Sequence, residues 1–480
     1  MRRSILVCAG SAVVASAAWA QPDAPQDEPA VLYTRHRLVE ARIETPREME
    51  RMLAISGDCW ACHPRAGLVP FRVAPERMEA LRASGIEFEV VIEDLQGVVD
   101  AERGRIRAAR AGAAGDRAAD WFAEYKNLEE VEARLSALAQ ARPELVTEFV
   151  VGDSLEGRPI RAILVAAPRE PGDPCRPTLF LNGTQHAREW INTMTTMHHA
   201  ERFVEGYGRD AEITDLLSKI DVVVAPVVNP DGFVYSWRRD RFWRKNRRDN
   251  GDGTFGVDLN RNWGHMWGLS VPGSLGGSPV TSSQVYRGAG PFSEPETSAV
   301  RDYVLATPQI RGSNDIHSYG ELILHPWSHS PDPSPDDAVF QAVGDEMQAA
   351  VQSVHGRRYR MGRSYGTIYP HAGTANDWFY SRGIFAYSYE LRGPTFAPHP
   401  SQIRPCVEEA FAGTLAHGRY LAERYGFITD WDRDCRHTFF DFLAFAEDVA
   451  AGAPEADLNG DGVVDFLDFL EFQAIFGSEQ

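Results

Sequence analysis

Basic residues are in deficit in this sequence: 49 Lys and Arg stand against 68 Asp and Glu, a formal net charge of −19. That balance argues against nucleic acid or an anionic membrane as partner, since both attract basic surfaces. Long apolar runs are scarce too. The one candidate opens the chain, where Arg2-Arg3 precedes an apolar stretch from Ile5 to Ala18 that ends in Ala18-Trp19-Ala20. It is too short to span a bilayer and reads as a secretory signal peptide, residues 1–20, cut before Gln21. The expectation is a secreted or extracellular protein that is not integral to a membrane.

Cysteine is rare as well. Cys8 leaves with the signal, so Cys59, Cys62, Cys175, Cys406 and Cys435 remain. Export permits disulfides, but an odd count leaves at least one thiol free or bonded to another molecule, and the pairing stays open. Cys59-Trp60-Ala61-Cys62-His63 fits the haem-attachment pattern. A local disulfide or two reduced thiols in a loop is the preferred reading, because no haem-pocket pattern surrounds the motif.

At 480 residues the chain is too long for one core and should divide into domains. Residues 21–32 are rich in Pro, Ala and acid, like a flexible leader. Residues 33–104 alternate short elements. Strands are expected at Arg37–Ile43, Leu68–Val73 and Ile86–Ile92, with helices at Pro46–Ile55 and Ala74–Ser84, which together make a small α+β module. Residues 105–118 are small and Arg-sprinkled, either a solvated helix or a linker open to trypsin-like proteases. Residues 119–428 form the large domain. Apolar runs such as Ile163–Ala167, Thr178–Leu181, Val222–Val228, Ile323–His325 and Ala386–Glu390 alternate with helical patterns such as Leu128–Ala141 and Phe340–Val354. That alternation predicts an α/β fold, with a largely parallel sheet covered by helices.

Residues 429–480 contain a repeat: Phe439–Phe445 recurs 27 residues later as Phe466–Phe472. An acidic loop precedes each copy. In the second, Asp457, Asn459, Asp461, Asp465 and Asp468 fall at positions 1, 3, 5, 9 and 12 of a calcium loop, with Gly462 at 6 and Val463 offering its carbonyl at 7. In the first, Asp430, Asp432, Asp434 and Asp441 are in phase, but Cys435 replaces the turn glycine. The aromatic repeats are expected mainly as core, since two short helices need them to bury anything.

Three residues of the large domain carry the chemistry. His186 and Glu189 stand three apart, and His317 lies far downstream in Asp315-Ile316-His317-Ser318-Tyr319. Two imidazoles and one carboxylate, with a fourth position left to water, form the ligand set of a catalytic zinc. The segments Gly183–Trp190, Arg241–Arg247, Gly256–Trp263, Asp315–Trp327, Tyr369–Trp378 and Tyr389–Arg392 resemble, in order, those of the zinc carboxypeptidases of the A/B type.

The resemblance implies one catalytic Zn²⁺ on His186, Glu189 and His317, and hydrolysis of the C-terminal peptide bond by a zinc-bound water. Glu390 would be the general base, and Arg244 would stabilise the developing oxyanion. Asn260 and Arg261 would clamp the substrate's terminal carboxylate, and Tyr369 would close over it. Arg188 and Tyr319 would add substrate contacts, and Asp258 would orient a ligating His. Asn376 would line the pocket for the terminal side chain, where a neutral amide implies a broad, neutral preference and makes strong basic specificity unexpected.

Two departures from the family pattern are a missing cysteine pair around residues 250–285 and an enlarged loop from Gly264 to Ser283. Residues 33–104 resemble the family's activation propeptide, implying a ferredoxin-like cap released by an activating protease. Residues 429–480 resemble a dockerin-like EF-hand pair, implying Ca²⁺ and a docking partner. Two other readings remain: a non-catalytic secreted binding protein, and a hydrolase of cell-wall or modified peptides.

Overall fold

The computed structural model describes residues 29–60, 67–113, 120–169, 176–271, 276–425, 429–432 and 438–478. The signal segment, Cys62, Cys175, Asp434 and Cys435 therefore lie outside the described residues. Among those described, no helix is long and apolar enough to cross a membrane.

The N-terminal module is a three-stranded antiparallel sheet, β1 (Arg37–Ile43), β2 (Gly67–Val73) and β3 (Phe88–Ile92), in the order β2-β1-β3. Its first helix, Pro46–Ser56, begins at a reciprocal cap between Thr45 and Glu48, with Pro46 at the first position. Val39, Ala41, Met52, Phe71 and Leu81 fill its core. The following helix, Leu95–Ala113, runs on into the stretch where the sequence places the start of the linker.

The large domain is built on eight strands: β4 (Val146–Asp153), β5 (Pro159–Val165), β6 (Thr178–Gly183), β7 (Asp221–Ala225), β8 (Ile310–Ser318), β9 (Leu322–His325), β10 (Arg360–Arg363) and β11 (Phe385–Leu391). They lie in the order β10-β9-β11-β8-β6-β7-β5-β4. The centre, β11-β8-β6-β7, is parallel; β4 and β5 pair antiparallel at one side, and β9 runs antiparallel to β11 at the other. The sheet is therefore mixed. Every residue of β6, β7, β8, β9 and β11 is buried, as expected for strands covered on both faces.

The last module pairs helices Phe439–Ala451 and Phe466–Ser478 around Phe445, Ala456 and Phe472. The aromatic repeat is split. Phe445 and Phe472 are core, whereas Phe439, Phe440, Phe466 and Leu467 are exposed, so less of the repeat is core than its composition suggests.

Candidate active site

The site grows from the ends of three adjacent parallel strands. β6 ends at Gly183, and the turn after it carries His186 and Glu189 into the helix Trp190–Gly206. β8 delivers His317 one residue before its end. β11 delivers Glu390, paired in register with His317. Such strand ends are where open α/β sheets place their sites.

His186 Nδ1 lies 2.9 Å from Glu189 Oε1 and 3.1 Å from His317 Nδ1. His317 Nδ1 lies 3.3 Å from Glu189 Oε2. The other ring nitrogens face carboxylates: His186 Nε2 is 3.1 Å from Asp258 Oδ1, and His317 Nε2 is 2.7 Å from Asp315 Oδ2. A carboxylate at Nε2 fixes the proton there and turns the Nδ1 lone pair inward. Two inward imidazoles and a buried carboxylate, all within 4.8 Å of one another, fit a tetrahedral Zn²⁺ with one open position.

The electrostatics agree. Burial alone would drive His317 down, yet Asp315 and Glu189 hold it well above the ordinary imidazole range, so the cluster stabilises a positive charge at this point. Burial alone would raise Asp258, but Arg244 and His186 hold it well below the usual carboxylate range.

A further layer positions these groups. Glu189 Oε2 accepts from Asn192 Nδ2 at 2.8 Å and from the Ser318 N–H at 3.1 Å. Asp315 accepts from Asn182 at 2.7 Å and from Gln185 at 2.8 Å. Sequence reasoning gave Asp315 no role, although its place two residues before His317 on a strand, hence on the same face, is the signal.

Arg244 donates to Asp258 Oδ2 at 2.9 Å, with Nη1 3.9 Å from Glu189 Oε1, so its guanidinium borders the His186–Glu189–His317 cluster. Asn260 Nδ2 is 3.1 Å from His317 Nε2, and Asn260 Oδ1 accepts the Ala375 N–H at 2.9 Å. Arg261 donates to the Tyr369 hydroxyl at 2.8 Å. One cavity is lined by His186, Arg188, Arg244, Asn260, Arg261, His317, Tyr369, Asn376 and Glu390. Tyr319 is not among the residues that line it and packs against Phe396, ring centroids 4.9 Å apart. From the enlarged loop and its end, Ser283, Gln284 and Val285 join the wall, and Lys245 donates to the carbonyls of Thr281 and Ser283, both at 3.1 Å.

The N-terminal module reaches this cavity, since Leu53, Gly57 and Cys59 line it. Asp58 accepts from Arg188 at 3.0 Å and from Arg72 at 2.7 Å. Burial pushes Asp58 up, and these two guanidiniums outweigh it, leaving its carboxyl below the usual range. Trp60 packs on Phe242 and Phe396, centroids 4.6 and 5.3 Å away, and the buried Glu102 accepts from Arg241 at 2.5 Å. Neither Asp58 nor Glu102 stands out in the sequence, where each is one acid among many.

In the C-terminal module the loop carboxylates turn inward on their own backbone. Asp457 accepts from the Asp461 and Gly462 N–H groups at 3.1 and 2.8 Å, and Asn459 accepts from Asp461 at 2.8 Å. Asp468, buried, accepts from Asn459 and Asp465 at 3.1 and 2.8 Å. Gly462 takes φ 87°, as the turn requires. Asp430, Asp432 and Asp441 of the first loop also converge within 4.8 Å.

The zinc carboxypeptidase family pattern matches residues 131–413. Mouse carboxypeptidase A1 is 32% identical over 386 residues, covering 78% of this chain and 90% of the relative. Human carboxypeptidase B is 31% identical over 366 residues, covering 74% and 84%. Among solved structures, thrombin activatable fibrinolysis inhibitor superposes with a TM-score of 0.73 at 26% identity, over 82% of this chain and 100% of that one. Carboxypeptidase A from Helicoverpa armigera gives 0.72 at 27% identity, over 81% and 98%. This chain belongs to the zinc carboxypeptidase family and is a metallocarboxypeptidase, a zinc-dependent exopeptidase.

Proposed function

We propose that the protein is a secreted carboxypeptidase made as a proenzyme, which removes C-terminal residues from peptides and proteins that carry a free carboxylate. The observation that carries the reading is the register pair Glu390–His317, which sets a carboxylate one strand spacing from the metal cluster.

Zinc, when held by His186, Glu189 and His317, supplies a Lewis acid and lowers the pKa of water. Glu390 takes the proton of the attacking water and passes it to the departing amine. Arg244, fixed by Asp258, donates to the carbonyl oxygen as charge develops there. Arg261 offers a planar fork to the substrate's terminal carboxylate, with Asn260 beside it, and Tyr369 covers that end. Arg188 and Tyr319 add subsidiary contacts to the substrate. Glu390→Gln should lower kcat by about 10²–10⁴-fold while zinc content is retained. Undiminished turnover in that variant would overturn the assignment.

The proenzyme reading rests on Asp58, an N-terminal carboxylate that occupies the guanidinium of Arg188, and on Leu53, Gly57 and Cys59, which line the cavity. The alignment to carboxypeptidase A1 takes in 78% of the chain, more than residues 119–428 alone supply. The activating cleavage is assigned to the Arg-bearing stretch at residues 105–118. For the C-terminal module, the loop contacts of Asp457, Asn459 and Asp468, the calcium-loop phase of Asp461, Val463 and Asp465, and the convergence of Asp430, Asp432 and Asp441 support a Ca²⁺-stabilised docking unit.

A further inference from the structure

Asn376 is buried at 3% exposure, and neither its Oδ1 nor its Nδ2 has a hydrogen-bond partner among the described residues. Buried polar groups in folded proteins are almost always paired, so an amide with both ends unmet calls for a partner the chain does not supply.

Its position says where that partner comes from. Gly373, at φ 71°, passes so close to Arg261 that an added Cβ would lie 2.6 Å from the Arg261 carbonyl oxygen. Two residues on, the Ala375 N–H is bonded to Asn260 at 2.9 Å. The turn is thereby fixed against both residues of the carboxylate clamp, and Asn376 follows it into the same cavity. Ser388 also lines this cavity; it shares a strand face with Glu390 and is paired in register with Leu324. Among the described residues lining the cavity, Glu390 is the only carboxylate, and Arg188, Arg244 and Arg261 are the only permanent cations. All four already have assigned roles, so no charge is left over for the terminal side chain.

An apolar side chain placed here would leave both ends of Asn376 unpaired. A carboxylate would satisfy Nδ2 and repel Oδ1, and an ammonium would do the reverse. A primary carboxamide offers an acceptor and a donor side by side, matching the two ends of Asn376 in one reciprocal pair. We infer that the enzyme selects substrates whose C-terminal residue is glutamine or asparagine, held by this amide–amide pair.

The inference rests on the carboxypeptidase reading, and the test separates the two. Zinc-loaded full-length chain, after limited trypsin treatment, is assayed on blocked dipeptides that differ only in a terminal Gln, Glu, Met or Lys. The expected kcat/KM for Gln exceeds each near-isostere by about tenfold or more, because a site built around a polar pair rejects partners that leave it unmet. Asn376→Leu should invert the Gln-to-Met ratio, and Asn376→Asp should shift preference to Lys. Hydrolysis with Glu, Met or Lys equal to or above Gln in the wild type overturns this inference alone, with no variant needed. An unchanged Gln-to-Met ratio in Asn376→Leu also overturns it. Failure to hydrolyse any of the four overturns the carboxypeptidase reading and this inference with it.

Discussion

Three carboxylates surround two imidazoles at the cluster, and they do different work. Glu189 faces both Nδ1 atoms, whereas Asp258 and Asp315 face the Nε2 atoms and hold the rings in place. Asp315 itself is gripped by Asn182 and Gln185, so its orientation is set before any metal arrives. Asp315→Asn should therefore weaken zinc binding by about 10–100-fold, read by competition with a chelator, while the helical content stays the same. Zinc affinity equal to wild type would mean that Asp315 serves only the strand. The trio His186, Glu189 and His317 was legible from residue type together with the motifs around it, and the structure brings the three within 4.8 Å of one another. Asp315, Asn182 and Gln185 were not, because their contribution is directional and appears only once β6 and β8 are side by side.

Elements with strong local signals were legible almost to the residue. Helix Leu128–Ala141 coincides with its sequence pattern, since Asn127 and Glu130 form a reciprocal cap and Leu128, Val131, Leu135 and Leu138 mark one face. The sequence pattern does not mark β8 as a strand. Its sequence, Arg311-Gly312-Ser313-Asn314-Asp315 between two isoleucines, is polar, and all nine residues of the strand are buried. A strand that feeds an active site gives up the apolar pattern by which strands are read. The helix Pro295–Ala306 carries another buried acid. Glu296 accepts from the Leu155 N–H and from Asn246, and burial raises it from 4.5 to about 7. A carboxyl raised on folding contributes stability that is fully present below its unfolded value and is lost as pH rises through the folded one. Wild-type stability should thus fall by roughly 3 kcal/mol between about pH 5 and about pH 8, with Glu296→Gln flattening that slope. Parallel pH profiles of Tm for the two proteins would contradict the assignment.

At the scale of the whole molecule, three modules share one chain but couple unequally. Tyr33, Leu38, Trp60, Leu95 and Val99 of the N-terminal part form a continuous cluster with Phe242 and Phe396 of the large domain, and the buried Glu102–Arg241 pair lies alongside. The C-terminal module has its own small core and keeps large apolar side chains exposed at the start of both helices. With Phe445, Ala456 and Phe472 the only fully buried apolar side chains among its described residues, it should depend on metal for its stability. Calcium should raise the melting temperature of that module and leave the zinc domain unchanged, and Asp461→Ala together with Asp457→Ala should abolish the shift. A calcium-insensitive melt of the whole chain would show that the module does not depend on calcium.

In the proposed proenzyme, the N-terminal module caps the zinc cleft through the Asp58–Arg188 pair. Release of single C-terminal residues from blocked dipeptides, followed before and after limited trypsin cleavage, tests it most directly. The uncleaved chain should be nearly silent, the cleaved chain active, and the cleaved Glu390→Gln protein silent again. Equal activity before and after cleavage would contradict the cap, and no activity in a cleaved, zinc-loaded enzyme would contradict the proposed carboxypeptidase mechanism itself.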